Sequence, residues 1–458
     1  MSTAPRVRFA PSPTGWLHVG NVRAAIITWL FARKNGGHFL FRVDDTDTER
    51  SKKEYEEEIE TSLMWLGLDW DEKARQCERM ERYAQVIQKL KDAGRLYACY
   101  ETPEELALKR KTLLGRGLPP IYDREGLNLS NEKKAKYEAE GRKPHWRFLL
   151  KHEAIEWQDH IRGPVKFEGA QMADPVLIRE DGRPLYHLCS VIDDLDYNIT
   201  HVVRGEDHVT NTASHVQMFE AIIEQEKTGT MPEFAHLPLI SDKEGGKLSK
   251  RLGSLSVKDL REVDKIEPMA VVSLMSRLGT SDPIEAFNTI EPLIESFDFS
   301  KFSRGTPKFD PDELLRLNSR ILHDTDFNDV NVRLANMGLQ DLDEDFWLSV
   351  RPNIERLGDV KNWWDVAKGP VEPAIESEDS DYIAQAASLL PDTPWDENTW
   401  GEWVGKIKEA TGRKGKALFM PLRQALTGMS HGPEMDKLLL LIGPEKARER
   451  LQGLKKAA

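Results

Sequence analysis

The sequence predicts an α/β fold: a parallel sheet of nucleotide-binding type, interrupted by an α+β insertion and followed by an all-α C-terminal region. Three observations carry that expectation. The first fifty residues read as strand, loop, helix, strand. Between residues 96 and 195 the pattern changes to charged helices and short strands. Beyond Val257 the apolar spacing is helical throughout, with no convincing strand. A chain of 458 residues is too long for one compact core, so three or more units are expected.

In chain order, Arg6–Ala10 alternates Val7 and Phe9 against Arg6 and Arg8, the period of a strand. Pro11, Pro13 and Gly15 then force an ordered turn, because proline fixes its own dihedral and withholds a donor. From Asn21 to Asn35 the residues Val22, Ala25, Ile26, Trp29 and Leu30 recur at helical spacing. Asn35-Gly36-Gly37 ends that helix, since glycine accepts a left-handed C-cap. Phe39–Val43 is a second apolar strand, which completes a βαβ opening. Ser51-Lys52-Lys53-Glu54 reads as a capping box before a helix carrying Tyr55, Ile59 and Leu63. Within the insertion, Trp146–Leu150 and Val165–Glu168 read as strands. The βα pattern resumes with a strand at Ile199–Val203, a helix from Thr210 to Gln225, and a short strand at Leu237–Ile240.

Composition narrows the class. Hydrophobic residues make up 39% and charged residues 31%, no run approaches 18 apolar residues, and no basic-then-apolar leader opens the chain, so a cytoplasmic protein is expected. Cys77, Cys99 and Cys189 form no CxxC pair, which leaves neither a disulfide framework nor an all-cysteine metal site. The net charge of −13 weighs against a nucleic-acid partner when taken alone. Lys109–Arg116 and Lys406–Lys416 are local basic stretches, although each reads more readily as a solvated helix face.

Four segments bear chemistry. Pro11–Asn21 (PSPTGWLHVGN) joins a strand to a helix start, where free backbone amides and the helix dipole favour an anion; His18 and Gly20 would let polyphosphate lie close. Lys247-Leu248-Ser249-Lys250-Arg251 follows Gly245-Gly246 and puts three cations on a loop suited to closing over phosphate, without the spacing of a Walker loop. Asp44, Asp45 and Asp47 end a strand where open sheets bind ligands, and suit an ammonium group or magnesium. Tyr186 and Arg204-Gly205-Glu206-Asp207-His208 place a guanidinium at a strand end, where it could clamp a carboxylate. Singly, each has a plain alternative: a prolyl loop with a solvated histidine, a basic surface loop, an acidic helix cap, a structural ion pair.

Together these segments resemble a known family. PSPTGWLHVGN resembles the HIGH signature of class I aminoacyl-tRNA synthetases, and KLSKR resembles their KMSKS signature. RFAPSPTG, RVDDTD, YHLCSVIDD, HVVRGEDH and TGRKGKALFMPLRQALTG are similar to bacterial glutamyl-tRNA synthetases over nearly the whole chain. The resemblance implies a Rossmann-type catalytic domain in two halves (1–95 and 196–256), split by a tRNA acceptor-binding insertion (96–195). A helical stem-contact domain (257–309) and helical anticodon-binding domains (310–458) would follow.

It also implies a monomer using ATP and Mg2+, with L-glutamate and tRNA-Glu, or also tRNA-Gln, as partners. His18, Lys247 and Lys250 would be catalytic. ATP would meet Pro11, Thr14, Gly15, His18, Gly20, Asn21, Glu206 and residues Lys247, Leu248, Ser249, Lys250 and Arg251. Glutamate would meet Arg8, Ser12, Asp44, Tyr186, Ser190 and Arg204, with Arg8 and Arg204 on its carboxylates and Asp44 on its ammonium. Three positions depart from the family pattern: Asp44 stands where many relatives carry glutamate, Ser190 where others have asparagine, and His208 where others have tryptophan. Some relatives bind zinc in the insertion through closely spaced cysteines; this chain has Cys99 and then Glu101, so no zinc is expected.

Overall fold

The structure, a computed structural model, describes residues 4–246 and 256–453. It forms two compact units. The first takes the residues up to 263 together with 271–285 and 289–310; the second takes 264–270, 286–288 and the described residues from 311 onward.

The first unit opens with β1 (Arg6–Phe9), α1 (Val19–Lys34), β2 (His38–Val43), α2 (Lys53–Trp65), β3 (Glu72–Arg75) and α3 (Met80–Asp92). Next come β4 (Leu96–Cys99), α4 (Pro103–Gly115), α5 (Asn131–Ala139), β5 (His145–Phe148), β6 (Ala154–Asp159), β7 (Gly163–Glu168) and β8 (Val176–Ile178). Then follow α6 (Tyr186–Asp196), β9 (His201–Gly205), α7 (Val209–Glu226), β10 (Glu233–Leu237) and β11 (Ser241–Asp242). The main sheet has the order β3-β2-β1-β9-β10-β6-β7. Every pairing in it is parallel except the β6–β7 hairpin at one edge. A parallel sheet needs cover on both faces, and the sequence supplies it: Val7, Phe39 and Phe41 are fully buried, as are Val22, Ala25 and Ile26 of α1. Asn35 caps α1 and Gly36 takes the left-handed conformation after it, as the sequence predicts.

Several local expectations fail for identifiable reasons. The capping box at Ser51 does not form. Ser51 N bonds back to Asp47 O, Lys52 becomes the N-cap without a side-chain bond, and the Ser51 hydroxyl is buried with no partner among the described residues. The strand expected at Leu237–Ile240 instead ends at Leu237, since Pro238 has no donor for a ladder and its carbonyl accepts from Arg23 at 2.7 Å. Beyond residue 257 there is one strand among the described residues, β12 (Lys308–Phe309), which pairs with β11 over two residues. In the stretch 96–195, β4, β5 and β8 form a small antiparallel sheet of their own, whereas β6 and β7 extend the main sheet. Trp157 and Phe167 stack across that hairpin at 5.8 Å and pack on the core beneath.

The second unit is helical in all its named elements and holds two cores. One gathers Val330, Phe346, Trp347, Val350 and Trp363; the other gathers Tyr382, Trp403, Ile407, Leu422 and Leu439. The buried polar tips are matched, with Trp347 Nε1 donating to Thr325 O, Trp403 Nε1 to Ala386 O and Tyr382 Oη to Leu418 O. No helix among the described residues is long and apolar enough to cross a membrane.

Candidate active site

Strand order reverses between β1, whose chain continues to β2 on one side, and β9, whose chain continues to β10 on the other. Ligands of open α/β sheets sit beyond the carboxyl ends of the strands at such a reversal. A cleft of about 700 Å³ opens there, lined by Arg8, Ser12, His18, Asp44, Tyr186 and Arg204 among others.

One wall is the loop after β1 and the start of α1. Pro11 O and Pro13 O accept from Asp44 N and Lys52 N, each at 3.0 Å, and so fix the prolyl loop against the end of β2 and the start of α2. His18 is the N-cap of α1, its Nδ1 accepting from Gly20 N at 3.3 Å. Burial lowers the His18 pKa, so the ring is neutral with its proton on Nε2, a donor. The first turn of α1 holds no acid to offset the dipole, and a methyl on Gly20 would meet only His18 Nδ1 at 3.7 Å. The dipole at this helix start favours an anion, while the Gly20, Asn21 and Val22 amides already donate to His18.

The floor is a buried ionic chain. Arg42 grips Asp44 with two hydrogen bonds, 2.7 and 3.1 Å, and reaches Asp194 at 2.9 Å. Arg8 grips the same Asp194 at 3.0 and 3.4 Å. Ser190 Oγ lies between Arg42 and Asp44, at 3.3 and 3.4 Å. Burial pushes the Asp44 carboxyl up to about 6, against the pull of Arg42. Arg8, expected on a substrate carboxylate, already has Asp194 as a counter-ion.

Arg204 differs. Its Nη2 donates to Thr212 Oγ1 at 2.6 Å and its Nε to His236 Nε2 at 3.4 Å, both neutral groups. No carboxylate lies within ion-pair distance of it among the described residues. Burial, with Arg8 nearby, lowers its pKa to about 10, so it stays charged at neutral pH. Tyr186, whose hydroxyl accepts from Asn211 at 2.7 Å, stands at the first turn of α6 beside this guanidinium.

Among the residues singled out from the sequence, Arg8, Pro11, Ser12, Thr14, His18, Gly20, Asn21, Asp44, Tyr186, Ser190 and Arg204 all line this one cleft. Gly15 and Glu206 do not. Glu206 is held by Arg162 and by Leu239 N at 3.0 Å, where it anchors the segment after β10. Lys247, Leu248, Ser249, Lys250 and Arg251 lie outside the described residues. The three acids after β2 diverge: Asp44 faces Arg42, Asp45 accepts from Cys77 N, and Asp47 pairs with Arg50. They do not converge on a magnesium ion. Sequence reasoning missed Arg42, Asp194, Asp159 and His236. The first two left a signal, since a lone arginine in an apolar strand and acids in a buried helix each require a partner.

In the small sheet, Cys99, Glu101 and His145 bring ligand atoms within 4.8 Å of one another, and His145 was not anticipated. The Tyr122 hydroxyl already donates to Glu101 at 2.6 Å and contacts Cys99 Sγ at 3.5 Å, while burial pushes the Cys99 thiol up to about 11. Glu101 also belongs to a second such group, with Asp123 and Glu125.

Residues 5–316 match the family described as tRNA synthetases class I (E and Q), catalytic domain, and residues 348–454 match an anticodon binding domain. The glutamate–tRNA ligase of Azospirillum brasilense is 57% identical over 447 residues, covering 98% of both chains. Glutamate–tRNA ligase 1 of Maricaulis maris is 51% identical over 448 residues, covering 98% of this chain and 99% of that one. Among solved structures, a glutamate tRNA ligase from Elizabethkingia meningosepticum in complex with its amino acid superposes with a TM-score of 0.84 at 28% identity, covering 98% of each chain. The glutamate-tRNA synthetase from Elizabethkingia anophelis gives 0.85 at 27% identity, covering 99% of this chain and 100% of that one.

Proposed function

Because the chain belongs to the glutamate–tRNA ligases, class I tRNA synthetases, we propose that it activates glutamate with ATP and esterifies it to tRNA-Glu. One observation in the cleft carries the amino-acid half of this reading: Arg204 is a charged fork bound only to neutral groups, opening into the cleft that also receives the N-terminus of α1. A substrate carboxylate supplies the counter-charge that the protein withholds.

In the first step an α-carboxylate oxygen of glutamate attacks the α-phosphate of ATP in line, and pyrophosphate leaves with the electrons of the broken P–O bond. In the second, the 2′-hydroxyl of the terminal tRNA adenosine attacks the adenylate carbonyl, and AMP leaves. No covalent enzyme intermediate is needed, so the protein contributes position and charge. Arg204 takes the main grip on a glutamate carboxylate. Arg8, tied to Asp194, offers the face it turns to the cleft, and Asp44 meets the ammonium. Ser12, Tyr186 and Ser190 complete that pocket. The positive end of α1, His18 Nε2–H and the Pro11–Gly15 loop hold ATP, and Lys247 and Lys250 meet the departing pyrophosphate. Magnesium arrives with ATP and screens its phosphates; no zinc is assigned.

Residues 96–195 hold the acceptor end, 257–309 the stem and 310–458 the anticodon. A monomer in the cytoplasm is the simplest setting. Contacts to phosphate come from local lysines and arginines, so tRNA affinity falls steeply with salt despite the net charge of −13. The test is attachment of labelled glutamate to separate tRNA-Glu and tRNA-Gln transcripts, with glutamine as control amino acid. Charging of tRNA-Glu alone defines a discriminating enzyme and charging of both a relaxed one; no charging by folded protein refutes the reading.

A further inference from the structure

We infer that Asp159 and His236 are positioning residues for the substrate-gripping Arg204, acting as a relay that fixes one tautomer of His236 and thereby the direction of the guanidinium. The inference rests on the reading of Arg204 given above.

The relay is buried at its core, with Asp159 1% exposed and His236 not exposed at all. Asp159 ends β6 and His236 lies in β10, strands that pair in parallel at Phe234 and Asp159. The two oxygens of Asp159 have separate duties. Oδ1 accepts from three backbone amides, Ile161 at 3.1 Å, Arg162 at 3.0 Å and His236 at 3.2 Å. Oδ2 accepts from His236 Nδ1 at 2.5 Å. These bonds hold the Asp159 carboxyl down at about 2, so it is ionised and can only accept.

The proton between them therefore belongs to Nδ1. Burial keeps the ring neutral, which leaves Nε2 a bare acceptor. Nε2 is what Arg204 Nε donates to, at 3.4 Å, and Thr212 Oγ1 lies 2.8 Å from it while accepting Arg204 Nη2. With two edges of the guanidinium held this way by neutral acceptors, its remaining donors face the cleft and its charge is left for the ligand. An anion at the position of Nε2 would orient Arg204 equally well but would quench it. A charge one histidine away orients without quenching.

Asp159→Asn tests this through tautomer logic. The three amides need an oxygen at the Oδ1 position, so the new NH2 must face Nδ1. That forces the proton to Nε2, which can then donate to Thr212 Oγ1 at 2.8 Å but can no longer accept from Arg204 Nε. The expected result is a glutamate KM raised about tenfold or more, with the ATP KM within about twofold. In a His236→Phe background the ring has no nitrogen, so position 159 has no tautomer to set. There Asp159→Asn should change the glutamate KM by less than about twofold. Nitrogen chemical shifts of His236 should report the proton on Nδ1 in the native enzyme and on Nε2 in Asp159→Asn. An equal KM change in both backgrounds, or an unmoved proton, overturns the relay. If Arg204→Ala leaves the glutamate KM unchanged, the underlying reading of Arg204 fails instead. If Arg204→Ala raises the glutamate KM and Asp159→Asn does not, the reading stands and only the relay falls.

Discussion

Asp194 holds two arginines at once, and replacing it by asparagine is the sharpest test of the site's electrostatic design. Asp194→Asn keeps the volume and removes the charge. Three charge-assisted bonds depend on it, two from Arg8 and one from Arg42, and all three side chains are about 95% buried or more. Asparagine keeps one accepting oxygen but turns an NH2 toward a guanidinium. Removing one partner from a buried pair costs about 3–5 kcal/mol, because the other charge stays desolvated. For a unit of about 300 residues, unfolding entropy of roughly 2.1 cal/mol/K per residue gives about 1.6 °C per kcal/mol, so Tm should fall by about 5–8 °C. Scanning fluorimetry at low and high salt measures this, and salt should restore little, since the pairs are out of reach of mobile ions. A shift below 2 °C, or one abolished by salt, would show that desolvation already cancels the Coulomb gain and that the chain of charges is not what holds β1, β2 and α6 in register.

Other consequences follow from neighbouring features. Asp44 must be ionised to meet an ammonium group, and with its carboxyl near 6 the glutamate KM should rise as pH falls through 6, by about tenfold at pH 5; a profile flat from pH 5 to 8 would remove Asp44 from the pocket. Since that value lies above the ordinary range, the folded state binds more protons than the unfolded one between about pH 4 and 6, and this group's contribution to stability declines as pH rises across that window. Gly20→Ala has room, with His18 Nδ1 at 3.7 Å as nearest contact, so Tm should hold while the added methyl raises the ATP KM by about tenfold; an unchanged ATP KM would place the phosphates elsewhere. Lys250→Ala should slow adenylate formation by about a hundredfold while tRNA affinity stays within a few-fold, and unchanged turnover would exclude the lysine loop from the mechanism.

What could be foreseen in the chain was whatever physics writes locally. The period-two run at Arg6–Ala10, the helical spacing after Asn21 and the glycine stop at Gly36 are short-range rules, and each element formed within a residue or two of its expected place. The same holds for the cleft, because phosphate-type loops and strand-end ligands sit at fixed offsets from those elements. Long-range closure was not foreseeable. Nothing near Asp159 announces that β6 will leave its insertion to pair with β10, or that the carboxylate will meet His236, a separation of 77 residues. Arg8 shows the limit most plainly. Its strand position was legible, but its partner Asp194 lies 186 residues away, so an arginine expected on a substrate carboxylate already has a counter-ion within the protein. Ser51 shows the opposite failure, where a valid local motif lost to a competing turn at Asp47.

The pairing of β1 with β9 also bears on how the chain is made. Thr200 bonds to Arg6 across 194 residues, so during synthesis at about 5–20 residues per second the inner edge of β1 waits about 10–40 s for its neighbour. An open strand edge held that long at the ribosome invites pairing with another nascent chain. Arg6 and Arg8 sit on that strand and make it a poor template until Thr200 and Asp194 emerge. In the finished protein Arg8 lines the cleft and holds Asp194; in the unfinished one it is a gatekeeper, and an apolar replacement there would lower the yield of folded protein.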